Sequence, residues 1–132
     1  MSERRDRDFW AEECARKRQE YVAIRTLYGN ILDWCRYARG MSFHALARKL
    51  NLTDNQVENI AHGKNLPKNI DRHRAIEEQI EDRIHDLPEG LAQVLRRRTG
   101  VANLPRAFDV LYEQGQDLLR DILSICRCCK RS

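Results

Sequence analysis

The side chains best suited to catalysis or metal binding are four histidines, five cysteines and four serines, and their spacing argues against both. His44, His62, His73 and His85 share no common interval and are expected as solvated surface histidines. Serines stand only at positions 2, 42, 124 and 132, and Ser42 is better placed to cap a helix than to attack a substrate. Cys126, Cys128 and Cys129 form one cluster. A structural zinc site draws on two ligand pairs a dozen or more residues apart, and no second pair exists. Lipid attachment to this tail would need a second membrane signal, and only Arg127, Lys130 and Arg131 are there to supply it. The expectation is therefore no enzyme activity, no metal and no cofactor. What stands out is Arg96-Arg97-Arg98, whose planar guanidinium groups could grip phosphate or a partner's carboxylates in bidentate pairs.

The elements that carry these residues are all helices. The chain has 132 residues, enough for one domain that buries roughly two-thirds of its unfolded surface. Apolar residues make up 42% and charged residues 33%, which fits neither a disordered chain nor a membrane protein. Three prolines, six glycines and abundant Arg, Leu, Glu and Ala point to an all-α fold. Gly-rich phosphate loops are absent, which argues against a nucleotide enzyme. The net charge of +4 permits nucleic-acid binding without demanding it. No apolar segment follows the charged N-terminus, so no signal peptide is expected. Five cysteines without one read as reduced thiols in the cytoplasm.

Apolar residues at Cys14, Tyr21, Ile24, Tyr28, Ile31, Cys35 and Ala38 predict a helix from about Phe9 to Ala38, with a bend allowed at Gly29 and a stop at Gly40. Ser42 caps a second helix that turns Phe43, Leu46, Ala47 and Leu50 inward. Thr53 and Gln56 form a capping box for a third, with Val57, Ile60 and Ala61 inside. A highly charged helix follows over 70–85, carrying the stripe Ile76, Ile80 and Ile84. Asp86 is expected to cap the next, with Leu87, Leu91, Val94 and Leu95 inward and Gly100 as its stop. Asn103 opens another, which Gly115 ends, and Asp117 opens the last.

Leu46-Ala47-Arg48, Leu50, Thr53, Val57 and Ile60 resemble the second and third helices of a death domain. The order of Leu87 to Leu95, the Arg run, Gly100-Val-Ala102, Ala107-Phe108, Leu111, Gly115 and Asp117-Leu118-Leu119 resembles that family's later helices. The resemblance implies a six-helix antiparallel death-fold bundle over 23–125. An N-terminal helical extension (1–22), an extra helix between the third and fourth, and a Cys-rich basic tail (126–132) complete the chain. It further implies an intracellular adaptor in apoptotic or innate-immune signalling. Its partners would be other death-domain proteins (receptor, adaptor or kinase) or a second copy, with no small-molecule substrate, no membrane insertion and no nucleic acid. Contact patches would be Arg36, Arg39, Arg48 and Lys49; Asp54 and Glu58; and Arg96, Arg97 and Arg98 facing Asp117 and Asp121 of another molecule.

A second resemblance covers the same segment. Arg36, Gly40-Met-Ser42, Leu46-Ala47, Leu52-Thr53, Val57, Ile60 and Gly63-Lys-Asn-Leu-Pro67 are similar to a lambda-repressor-like helix-turn-helix. That implies a sequence-specific DNA-binding regulator whose Thr53 helix offers Asn55, Gln56 and Asn59 to base edges. The helix carries no Arg or Lys before Lys64, and Asp54 and Glu58 would repel phosphate, so the adaptor reading takes precedence at this level.

Overall fold

A computed structural model describes the backbone of residues 3–131 and the side chains of residues 7–125. It is an all-α bundle: α1 (Glu3–Ala38), α2 (Phe43–Leu50), α3 (Asp54–Ala61), α4 (Ile70–Ile80), a single 3-10 turn (Ile84–Asp86), α5 (Glu89–Thr99) and α6 (Leu104–Arg131). Among the described residues there is no strand, and no helix is long and apolar enough to cross a membrane.

The two long helices, about 54 and 42 Å at the usual rise per residue, pack against each other along most of the bundle. They run antiparallel, since Lys17 reaches Asp121 at 3.2 Å while Tyr28, later in α1, stacks on Phe108, earlier in α6. Ile24, Tyr28, Ile31 and Cys35 form one side of the seam, and Leu104, Phe108, Leu111 and Ile122 the other. The α1 stripe advances by steps of four, three and four, and the α6 stripe by four and three from Leu104 to Leu111, the spacing that keeps a seam facing its partner. At its centre Tyr28 stacks on Phe108, with centroids 4.4 Å apart.

Gly115 is the chief departure from the sequence expectation. It does not end a helix. It is buried inside α6, where a Cβ would strike the Leu66 side chain and come within 3.1 Å of Ile24. The missing side chain admits the loop before α4, and the two helices expected on either side of Gly115 are one. Asp117, foreseen as a cap, is an exposed mid-helix residue.

The charged helix is also shorter than expected. α4 ends at Ile80, and Ile84 reaches the core from the 3-10 turn. Asp86 lies in that turn, so α5 begins at Glu89 behind Pro88 without a side-chain cap. Val94 is exposed and Ala92 is buried in its place. Gly40 and Gly100 do end helices, each with positive φ. Asn103 caps α6 by accepting from the Arg106 amide at 2.9 Å.

Gly29 governs how α1 meets α3. A Cβ there would lie 2.5 Å from the Ile60 carbonyl and 2.7 Å from that of Ala61. Gly29→Ala should therefore cost about 1–3 kcal/mol through overpacking, although alanine favours helix. Gly90→Ala, with nothing within 4 Å of the new methyl, should gain about 0.5 kcal/mol from propensity alone. Urea denaturation of the two variants checks the contrast. Equal effects would mean that α1 and α3 are not in backbone contact.

Candidate functional site

Three devices fix α2 and α3 as one rigid unit. Ser42 Oγ accepts from the Ala45 amide at 3.0 Å, so α2 begins where its cap was expected. Asn51 ends it in the left-handed conformation, φ 56°, which asparagine tolerates better than most residues. Its neighbour Leu52 donates its amide to the Ala47 carbonyl at 2.9 Å, closing the turn. Thr53 then starts α3 with the full capping box: Gln56 N–H donates to Thr53 Oγ1 at 3.1 Å, and Thr53 N–H donates to Gln56 Oε1 at 2.9 Å.

This geometry sorts α3 into two faces. Val57, Ile60 and Ala61 are buried against α1 and α2, whereas Asp54, Asn55 and Gln56 face solvent and Glu58 and Asn59 are half-buried. Past Gly63 the chain is pinned to α6, because the Pro67 carbonyl accepts from Tyr112 Oη at 3.1 Å and from Gln116 Nε2 at 3.4 Å. That anchor puts Lys68 and Arg72 on the same groove as Gln56, Asn59 and Asn65.

The charged residues singled out from sequence divide by what they hold. Arg36 donates to the Met41 carbonyl at 2.6 Å and to Asp33 Oδ1 at 2.8 Å, and lies 4.1 Å over the Phe43 ring, so it fastens α1 to α2. Arg39 donates to the Gln79 carbonyl and pairs with Asp82, joining α1 to the end of α4. Arg48 and Lys49 project from the last turn of α2 into solvent. Asp54 accepts from His44 Nδ1 at 3.0 Å, an exposed contact linking α2 to α3. Arg96 Nε donates to the Ala102 carbonyl at 2.9 Å, while Arg97 and Arg98 are exposed. Arg98 shares a cleft with Asp117 and Asp121 of its own chain, and those carboxylates also pair with Arg120 and Lys17. Cys14 is disulfide-bonded, which departs from the expectation of reduced thiols. Cys35 is free, and burial with nearby Asp82 pushes its thiol up to about 12, so it is inert. The side chains of the 126–132 tail lie outside the described residues.

No protein-family model, curated protein or solved structure matches the chain.

His73 corrects a further expectation. His44, His62 and His85 are exposed, but His73 is fully buried between α1, α4 and α6. Its ring lies flat on Tyr112, with centroids 4.2 Å apart and planes 4° from parallel. Nδ1 is 2.7 Å from Tyr28 Oη, and Nε2 is 3.2 Å from Asp109 Oδ1 and 3.3 Å from Glu77 Oε1. The neutral ring therefore accepts the Tyr28 hydroxyl proton and donates its Nε2–H to a carboxylate. The signal was present in the spacing. His73, Ile76, Ile80 and Ile84 form one stripe with steps of three, four and four.

Burial holds the charged imidazole down to about 4, outweighing the opposing pull of Asp109. Unfolded, the group binds its proton near 6.5. The unfolded chain thus binds more protons between those values, and the native state loses stability as pH falls from 6.5 towards 4. Glu77, raised by burial and by Asp109, works in the opposite sense near the acid end, and Arg74 moderates it. The urea midpoint should fall across this range, and less steeply in His73→Gln. Parallel profiles would assign the acid sensitivity to other groups.

Proposed function

We propose that the chain binds duplex DNA sequence-specifically through the helix-turn-helix formed by α2 and α3, as a transcriptional regulator. The observation that carries this reading is the exposed polar start of α3. The capping box turns Asn55 and Gln56 outward at the end of the helix that would enter a major groove first, and amide side chains suit the paired donor and acceptor of adenine. Gln56 keeps its amide N–H group for a base, since only its Oε1 serves the cap.

The missing cations on α3 are made up by neighbours. Arg48 and Lys49 flank the unit on one side. Lys64, Lys68 and Arg72 follow it in the chain, and the last two share a groove with its outer face. Phosphate contacts of this kind supply affinity and register, and the base edges supply the choice of site.

Selection from randomised duplexes followed by fluorescence anisotropy tests the reading. The selected site should bind with a dissociation constant on the order of 10 nM or tighter at physiological salt, against on the order of 1–100 µM for unrelated duplex. Asn55→Ala should cost about 1–3 kcal/mol on the selected site and relax the preference at one base pair. Lys68→Ala should weaken all duplexes alike and lower the salt slope by about one. Failure to enrich any sequence would overturn the proposal.

The exposed pair Arg97 and Arg98 favours a second reading, the cytoplasmic death-domain-like adaptor that assembles with similar domains. Arg97→Glu with Arg98→Glu should then abolish association in light scattering while circular dichroism stays unchanged. Under the DNA reading the double variant keeps its association state.

A further inference from the structure

We infer that His73, Glu77 and Asp109 form a binding site for a divalent transition-metal ion of the Zn2+ class, bridging α4 and α6. The three residues present one nitrogen and two carboxylate oxygens, all within 4.8 Å of one another. Nε2 of His73 lies 3.2 Å from Asp109 Oδ1 and 3.3 Å from Glu77 Oε1. Ligand atoms about 2.1 Å from one ion in tetrahedral array stand about 3.4 Å apart, so the ion fits with small side-chain adjustments.

The surroundings also suit an ion. Two carboxylates converge on a single imidazole N–H, which can satisfy one of them. No lysine or arginine among the described residues forms an ion pair with either. Tyr28 holds the other ring nitrogen at 2.7 Å, and Tyr112 fixes the ring plane. A metal-bound histidine needs this kind of orientation from its second nitrogen. On binding, Nε2 gives up its proton and takes the metal, Nδ1 gains a proton and donates to the Tyr28 oxygen, and the Tyr28 O–H, until then donated to Nδ1, rotates off the ring. Glu77 also lines a cleft of about 110 Å³ with Glu81, Ile80, Ile84, Pro105 and Phe108. Of the three ligands Glu77 alone borders this cleft, so an ion would reach the buried His73 nitrogen from the Glu77 side. An N/O set of this kind suits zinc or manganese better than a soft thiophilic ion. The inference does not rest on DNA binding.

The test uses the full chain stripped with chelator, then titrated with ZnCl2 by calorimetry and with CoCl2 by visible spectroscopy. One ion per chain should bind, with a Co2+ ligand-field band and no thiolate charge-transfer band. Glu77→Gln and Asp109→Asn should each weaken binding at least ~10-fold, as losing a direct ligand should cost no less than the ~10–100-fold typical of an orienting partner. Independently of any variant, the His73 side-chain 15N signals of the wild type should report the switch to Nδ1–H on adding Zn2+. The inference is overturned by no saturable binding, by a thiolate band that puts the ion on cysteine, by affinity insensitive to both substitutions, or by an unchanged His73 tautomer.

Discussion

The antiparallel seam between α1 and α6 is the constraint on which the other elements depend. Neither helix could bury its stripe alone, and pairing them leaves one flank on which α3 and α4 must settle. The seam admits them only where side chains are missing. Gly29 lets the end of α3 touch the α1 backbone, and Gly115 lets Leu66 lie across α6. Both are interior helix glycines, each of which costs roughly 1 kcal/mol of helix propensity relative to alanine. Close approach of the neighbouring element offsets that cost by burying Ile60, Ala61 and Leu66.

A polar cluster occupies the centre of this apolar frame. His73, Tyr28, Tyr112 and Asp109 come from three helices, and each aromatic stacks or tilts against another. Removing one partner would strand a buried donor or acceptor, a penalty of about 1–3 kcal/mol. The network therefore disfavours any register in which α4 slides along α1 and α6. Through Tyr112 the same cluster reaches the Pro67 carbonyl. The loop that follows α3, and with it Lys68 and Arg72, is thereby tied to the core.

Where a signal was local, it was legible in the residues. The Thr53–Gln56 capping box, the Ser42 and Asn103 caps, the positive-φ glycines at 40 and 100 and the stripes of α1 to α3 all depend on residues within one or two turns. What escaped depended on distant neighbours. Gly115 looks like a stop until Leu66, far away in sequence, occupies the space its side chain would fill. His73 looks solvated among Arg72, Arg74 and Asp71 because its partners Tyr28 and Asp109 lie on other helices. The charged candidates divided in the same way. Arg36 and Arg39 are spent on joining helices, which no helical period announces, whereas Arg48, Lys49, Arg97 and Arg98 remain outward.

The distribution of charge around α3 has a consequence for how affinity and choice of site relate. Its outward face carries amides and acids, and the nearest cations stand on other segments. In a recognition helix rich in arginine, one side chain contributes to both phosphate attraction and base reading. In the proposed complex the two tasks would fall on different residues: Arg48, Lys49, Lys68 and Arg72 would attract the backbone, and Asn55, Gln56 and Asn59 would meet the bases. Acidic Asp54 and Glu58 would raise the cost of every duplex contact, matched or not. A mismatched site that could not satisfy the amides would then have little attraction left to hold it. In the proposed complex that penalty would lower affinity for matched and unmatched sequences alike, leaving the gap between them, the quantity that decides occupancy among many competing sites, to the amide contacts.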